Sequence, residues 1–482
     1  MEQMLFNLDR APTRGSTSIL YTAIPSSPMD RRGSGPRLLG EASALVGSIT
    51  ARSNMPLDIV VVGAGIGGLA TALALRRCGH RVVVLERAVG KTEDGYALSS
   101  TPNASKILQR LGIDLSNVGF TPWLGIDGYV GDVDATTPAW RTLWVPPPAT
   151  IEDRYGAPSG FIHRADLHRA LWDLAISTEG TGVPVKIVEG VTVTSFNAVA
   201  PSVSTAAGQV HTPDLVIAAD GVRSIAHAAV VGEERPAEMP EAASIRFVLA
   251  SKDLQQYPAC MKMVLESPWR MSHFSGQDKS VGLFRSACRN DEIQNFGVYV
   301  YRHVDEAKIW TKAEIRQLAL QCLESYKEPI PQLIRAAPED SFYLRRIAHR
   351  EPLPQFYKDR LVLVGDACHP MMPSFGQGAT SAIEDAAVLG VVLRNVHRPQ
   401  QIASRLEIWE KLRKPRASAM VYLSRRDSTA FDVSPQLQTA MRRFLPPDQL
   451  PEFSPSAIVD WIWAYDCIEV AEQAMKGRWE DS

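Results

Sequence analysis

The chain is poor in cysteine. Its six (Cys78, Cys260, Cys288, Cys322, Cys368 and Cys467) are scattered through 482 residues with no metal-ligand spacing. This excludes a disulfide scaffold and a thiolate metal site, and it predicts a reducing, cytoplasmic setting. An excess of one charge is missing too: 51 Lys and Arg against 53 Asp and Glu leave a net charge of −2. No basic footprint for nucleic acid or for an anionic membrane surface is therefore expected. Long apolar runs are also lacking. The longest, Ile59 to Leu75, is interrupted by four glycines and reads as strand, turn and helix rather than as a membrane span. What remains, 45% hydrophobic and 22% charged residues, is the composition of a globular protein. The length predicts roughly two to three domains.

Residues 1–55 are rich in Ser, Pro, Gly and Arg and show no sustained helical or strand period. A disordered leader is expected. Arg10, Arg14, Arg31, Arg32, Arg37 and Arg52 would suit an organelle-targeting peptide, whereas Asp9, Asp30 and Glu41 would not. From Leu57 to Val62 an apolar run predicts a strand, followed by Gly63-Ala64-Gly65-Ile66-Gly67-Gly68. Ile66, Leu69, Ala70, Leu73 and Ala74 then fall at helical spacing, and Arg81 to Leu85 predicts a second strand closed by Glu86. Glycines in such a loop allow a tight turn, backbone approach to a pyrophosphate, and close helix–strand packing. An acid about 20 residues beyond the loop accepts hydrogen bonds from a ribose. The whole unit predicts a dinucleotide site.

A second loop lies far along the chain. Arg360 to Val364 predicts a buried strand that ends at Gly365-Asp366. This sets a carboxylate at the strand's C-terminal end, where open α/β sheets bind ligands. Pro370, Pro373, Gly376 and Gly378 stiffen the loop and permit close approach, and a helix is predicted from Ala379. A helix start presents free N–H groups and partial positive charge, which suits an anionic group. Asp214 to Ala219 predicts another buried strand, ending in Asp220-Gly221, and Gly160 to Leu167 opens a further helix. Two remote cofactor loops point to FAD rather than NAD, because a flavin reaches well past the first turn.

Between residues 236 and 345, Ser244 to Leu249, Val281 to Phe284 and Phe296 to Tyr301 predict a mixed or antiparallel sheet over a substrate pocket. Helices follow Arg394, including Ile402 to Arg426 with a break at Pro415. Beyond Leu445-Pro446-Pro447, the cluster Trp461-Ile462-Trp463-Ala464-Tyr465 reads as helix packing, with capping of the pocket or sealing of a subunit contact as alternatives.

The run Gly365-Asp366-Ala367-x-His369-x-x-x-Pro373-x-x-Gly376-Gln377-Gly378, together with the opening glycines and Asp220-Gly221, resembles one family. It is the single-component flavoprotein aromatic hydroxylases, typified by para-hydroxybenzoate hydroxylase and salicylate hydroxylase, and the likeness spans residues 57–425. The resemblance implies an α/β fold with a Rossmann-like, discontinuous FAD-binding domain (56–235 and 345–397). An inserted mixed β-sheet substrate domain (236–344) and a C-terminal helical region (398–482) would complete it. FAD would be held by Gly63, Gly65, Gly67 and Gly68 at the pyrophosphate and by Glu86 at the adenosine ribose. Ala97, Arg164, Asp220, Asp366 and Pro373 would border the remainder, with Gly376, Gly378 and Ala379 at the flavin's pyrimidine end.

NADH or NADPH would reduce the flavin, and O2 would then give a C4a-hydroperoxide that hydroxylates an aromatic or polyketide-type small molecule. Arg246 and His273 are the expected catalytic residues. His273-Phe274 departs from the His-Tyr of relatives, so a tyrosine's acid–base role would fall to Tyr257 or Tyr299. No metal is expected, and a homodimer is left open. Two alternatives stand: epoxidation of a terpenoid or polyketide alkene, and an inactive FAD-binding scaffold. Flavin halogenation and Baeyer–Villiger chemistry are disfavoured, because W-x-W-x-I-P and F-x-G-x-x-x-H do not occur.

Overall fold

A computed structural model describes residues 56–90, 95–141, 148–238, 242–266, 269–276, 280–301, 304, 308–396, 398–425 and 433–476. The leader expected at residues 1–55 lies outside these. Short aliphatic runs, largely buried on both faces, build the central strands of the first sheet, as buried parallel strands require. Its order is Tyr357–Lys358, Leu361–Leu363, Leu215–Ala218, Asp58–Val62, Arg81–Leu85, Lys186–Val188. Every pairing is parallel except that of the edge strand Tyr357–Lys358. The register puts Val62 opposite both Leu85 and Ala218, and Ala218 opposite Leu363. Gly63, Glu86, Asp220 and Asp366 therefore leave the sheet at the same edge, although they are far apart in sequence.

Two helices cover this edge, Ile66–Arg77 and Gly378–Leu393. Small residues let them approach closely: a Cβ added at Gly67 would lie 3.0 Å from the Ala382 Cβ, and one at Gly390 would lie 3.2 Å from the Ala74 Cβ. The helix Ile402–Ser424 runs unbroken through Pro415, contrary to the expected interruption. Arg413 and Arg416 on either side are held by Glu384 and Asp385 of the preceding helix, which keeps the chain on a helical course past the missing N–H.

The second sheet has seven strands, in the order Tyr343–Arg346, Ala243–Ala250, Ile293–Val300, Val281–Cys288, Met271–Ser275, Ile126–Val130, Trp140–Arg141. It is mixed, with only Met271–Ser275 and Ile126–Val130 running parallel. Its last two strands come from the first third of the chain, before the region where the sequence pattern marks this sheet. A three-stranded sheet, Ala97–Ser100, Gly160–His163 and Thr121–Pro122, packs beside the strand Val281–Cys288 of the second sheet. A third apolar cluster joins residues such as Ile151, Tyr155, Met420, Leu423, Ile458 and Trp463. All six cysteines are buried, and none is joined in a disulfide. Among the described residues, no helix is long and apolar enough to cross a membrane, and no group of His, Cys, Asp or Glu is placed to hold a metal ion.

Candidate active site

The shared edge opens into a cavity of about 530 Å³ that both sheets line. Gly65, Gly67, Asp366, Gly376 and Gly378 face it from one side, and Arg246, Met271, His273, Asn295 and Tyr299 face it from the other. Both covering helices start here. Ile66–Arg77 begins at Gly65 and Gly378–Leu393 at Gln377, and neither has a side chain capping its first N–H groups. Such uncapped, partly positive helix starts are satisfied by water or by an anionic ligand.

The glycines separate into two kinds. Gly63 has φ +103°, and a Cβ there would lie 2.4 Å from the Ala219 carbonyl oxygen. A Cβ at Gly68 would lie 2.0 Å from the Gly63 carbonyl oxygen, so these two are demanded by the protein's own packing. Around Gly65 and Gly378, by contrast, a Cβ would meet nothing within 4 Å. Nothing in the chain requires a glycine there, but a ligand lying against the backbone would. Gly376, at φ +64°, sits against Ser99, whose Oγ donates to the Gly376 carbonyl at 3.1 Å. A long ligand with a pyrophosphate for one helix start and an anionic ring for the other fits these residues, and FAD is such a ligand.

The acids take distinct places. Glu86 props the first loop: its Oε2 accepts from the Ala64 N–H at 2.6 Å and its Oε1 from the Ala88 N–H at 2.7 Å. It does not itself line the cavity. Neither does Asp220, although its neighbours Ala219 and Gly221 do; its Oδ1 is buried without a hydrogen-bond partner. Burial pushes the Asp220 carboxyl up, against a hydrogen bond from Ser224. Asp366 has accessible surface, yet protein encloses it, because that surface faces the cavity. Burial raises its carboxyl also, with His369, Arg164 and Arg350 opposing. Arg164 lines the cavity at the start of the helix Arg164–Ile176 and lies over the Tyr96 ring, 5.7 Å from its centroid. Ala97, Pro373 and Ala379 border the same space, and the Ala97 N–H donates to the Asn295 Oδ1 at 3.0 Å.

Behind the second loop is a buried charged network. Asp385 accepts from the Gly365 N–H at 3.0 Å, meets His369 Nε2 at 2.6 Å, and pairs with Arg413 at 2.8 Å. Burial opposes ionisation of Asp385, but His369, Arg413 and the Gly365 N–H outweigh it and bring its carboxyl down to about 2. Glu384 pairs with Arg413 at 2.8 Å and Arg416 at 3.2 Å, and accepts from Asn103 at 2.8 Å. This network fixes the loop that carries Asp366.

On the opposite wall, Arg246 donates to Ser244 and to the Tyr299 hydroxyl, each at 2.7 Å. Its guanidinium lies between two phenol rings, 5.1 Å from Tyr299 and 5.4 Å from Tyr96. His273 faces the cavity and stacks on Phe284 at 4.4 Å. Phe274 points to the other side of the strand, fully buried against Tyr129. Alternation along a strand explains this, so a tyrosine at position 274 would not reach the pocket. Of the two tyrosines considered as substitutes, Tyr299 lines the cavity, while Tyr257 packs against the second core. Sequence reading missed Tyr96, Trp123 and Phe161, which line the cavity together with Trp463. Trp463, expected to pack with capping of the pocket as an alternative, does both. No short motif marks any of the four, because each arrives from a separate segment.

A family model described as FAD binding domain matches residues 56–424. FAD-dependent monooxygenase cfoG of Aspergillus candidus is 32% identical over 434 residues, covering 88% of this chain and 96% of that protein. The 6-hydroxynicotinate 3-monooxygenase of Bordetella bronchiseptica is 30% identical over 375 residues, covering 76% and 90%. Among solved structures, a salicylate hydroxylase substrate complex superposes with a TM-score of 0.61 at 21% identity, over 88% of this chain and 98% of that one. With the uncapped helix starts and ligand-facing glycines, these matches give one conclusion: the chain belongs to the FAD-binding-domain family and is a flavin-dependent monooxygenase of the aromatic hydroxylase type.

Proposed function

We propose that the protein uses NADH or NADPH and O2 to hydroxylate a small aromatic or polyketide-type molecule that carries an acidic oxygen. The observation that supports this best is a single cavity bordered at once by the two cofactor loops and by the Arg246–Tyr299 pair. When bound, FAD supplies two-electron reduction and dioxygen activation. Gly65 and Gly67 would let the backbone approach its pyrophosphate, and Asp366 and Arg164 would hold its middle. The start of the helix Gly378–Leu393 would stabilise negative charge at the far end.

The remaining residues act on the substrate. Arg246 is held by Ser244 and Tyr299, so its guanidinium is oriented before a phenolate or enolate arrives. Because the Tyr299 oxygen accepts from Arg246, its own O–H proton is free to donate toward the substrate. His273 adds a second polar group on the same wall. Trp123, Phe161, Met371 and Phe375 give apolar surface that excludes water from the reacting ring. The relative named 6-hydroxynicotinate 3-monooxygenase acts, by its name, on a hydroxylated aromatic ring, which supports the same class here.

The test is a screen of NADH and NADPH oxidation with a panel of phenols and polyketides, read by mass spectrometry. A substrate-dependent product heavier by one oxygen atom, on the ring, is expected. An epoxide or its diol in place of a phenol, or no stimulation by any member while FAD stays bound, would overturn the proposal.

A further inference from the structure

The helix Pro455–Trp463, next to last among the described helices, contributes a wall to the cavity. Val459, Ile462 and Trp463 all line it, and their spacing puts them on one helical face. Ile458 of the same helix is fully buried and does not line the cavity, whereas the other three pack into the same apolar cluster and also border the cavity. Trp463 is 3% exposed. Its ring meets Trp123 edge-on at 5.7 Å and Tyr155 at 5.5 Å, and Trp123 in turn meets Phe161 at 6.0 Å. The result is a continuous aromatic wall, distinct from the polar one formed by Arg246, Tyr299 and His273.

This wall is held from two directions. On one side, Asp460 accepts from the Tyr155 hydroxyl at 2.5 Å and pairs with Arg154 at 2.7 Å, which fastens the helix to the segment Pro148–Tyr155. On the other, Arg416 donates to the Trp461 and Ile462 carbonyls at 3.3 and 3.2 Å while it pairs with Glu384. Glu384 belongs to the helix whose start opens on the cofactor side of the cavity. A large side chain at a fixed position sets a boundary, whereas a mobile one would yield.

We propose that Trp463 is a specificity-determining residue: it limits how far an apolar or aryl extension on the substrate can project from the ring held at Arg246. This rests on the hydroxylase reading above and deepens it. The substrate class it defines is a planar phenol or enol with an apolar substituent, whose length Trp463 restricts. Asp460 acts through Trp463 as a positioning residue.

The test uses FAD-loaded wild type, Trp463→Ala, Trp463→Phe and Asp460→Ala with phenol, 2-naphthol and 4-phenylphenol. Two ratios are read for the longest against the shortest ligand: kcat/KM from NAD(P)H oxidation, and Kd from the change in flavin absorbance on titration. W463A is expected to shift both toward 4-phenylphenol by about tenfold or more, tenfold being the lower end of what a single carbon atom is worth in an apolar pocket. W463F should give a smaller shift in the same direction, and D460A one of about threefold through the loosened wall. A wild-type ratio in W463A, with normal flavin content, would overturn the proposal; should W463A not fold, an unchanged ratio in W463F would do the same. If wild type oxidises NAD(P)H with none of the phenols, the hydroxylase reading falls, and the Kd ratios still decide the role of Trp463.

Discussion

The two sides of the cavity are built on different principles. The cofactor side is made of backbone: glycines and helix starts contributed by two short segments, backed by the charges of Glu384, Asp385, Arg413 and Arg416. The opposite side, proposed to take the substrate, is made of side chains that arrive from strands of the large sheet, from Trp123 and Phe161, and from the helix Pro455–Trp463. A backbone surface tolerates almost no change, since one added carbon fills the space a ligand needs. A side-chain surface can be altered one residue at a time while the fold stays intact. The same chain thus pairs a fixed chemical engine with an adjustable receptor.

Breaking this contrast starts with the glycines. Gly68→Ala should cost more than about 4 kcal/mol, because its Cβ would lie 2.0 Å from a backbone oxygen, and the protein should melt early or fail to accumulate. Gly65→Ala should leave the melting temperature of the flavin-free protein nearly unchanged, because its Cβ meets nothing within 4 Å. Its FAD affinity should fall by about 100-fold, a loss of roughly 2.7 kcal/mol. Equal effects on both properties in the two variants, measured by thermal melts and flavin titration, would erase the distinction between packing glycines and ligand glycines.

Next in size is Asp385→Ala, which leaves Arg413 and His369 short of a partner in a dry site and should destabilise the protein by about 3–5 kcal/mol. Because the folded carboxyl is depressed to about 2, its stabilisation is complete above the unfolded value of about 3.9 and is lost as pH falls from about 4 toward 2. Denaturant titrations across that range should show a steeper acid loss in wild type than in Asp385→Asn.

On the receptor side, Arg246→Met should lower kcat/KM for a phenolic substrate by about 30- to 100-fold, the worth of a charge-assisted hydrogen bond. Flavin content should be unchanged, and a parallel loss of flavin would place Arg246 in the engine instead. The smallest effect belongs to Asp366→Asn. Burial raises this carboxyl, so holding it ionised at neutral pH opposes folding, and that opposition grows as pH rises through the folded value. Without FAD, the variant should therefore melt slightly higher than wild type at neutral pH, with the gain vanishing in acid, while its FAD affinity drops.

Much of the cofactor side could be read directly from the chain, because its signals are local. Gly63 to Gly68 and Gly365 to Gly378 each lie within one strand-loop-helix unit, and parallel register alone brings them to one edge. What could not be read was the division of labour inside them: nothing in the spacing says that Glu86 props the Ala64 N–H rather than facing the cavity. The receptor side was mostly hidden. Arg246 and His273 stood out as strand residues, but Tyr96, Trp123 and Trp463 share no period with them and meet only through tertiary packing. Phe274 shows the same limit in reverse, since its neighbour faces the cavity and it does not.

The hidden cysteines bear on how such an enzyme ages. Flavin sites that meet dioxygen without substrate leak hydrogen peroxide, which attacks thiolates first. Burial raises the Cys78, Cys260 and Cys288 thiols to about 12, leaving almost no thiolate at neutral pH. The thioethers of Met271 and Met371, however, border the cavity where that oxidant would be released. Peptide mapping after prolonged idling with NAD(P)H should find sulfoxide at these methionines while the cysteines stay reduced, so that wear begins in the receptor and spares the core.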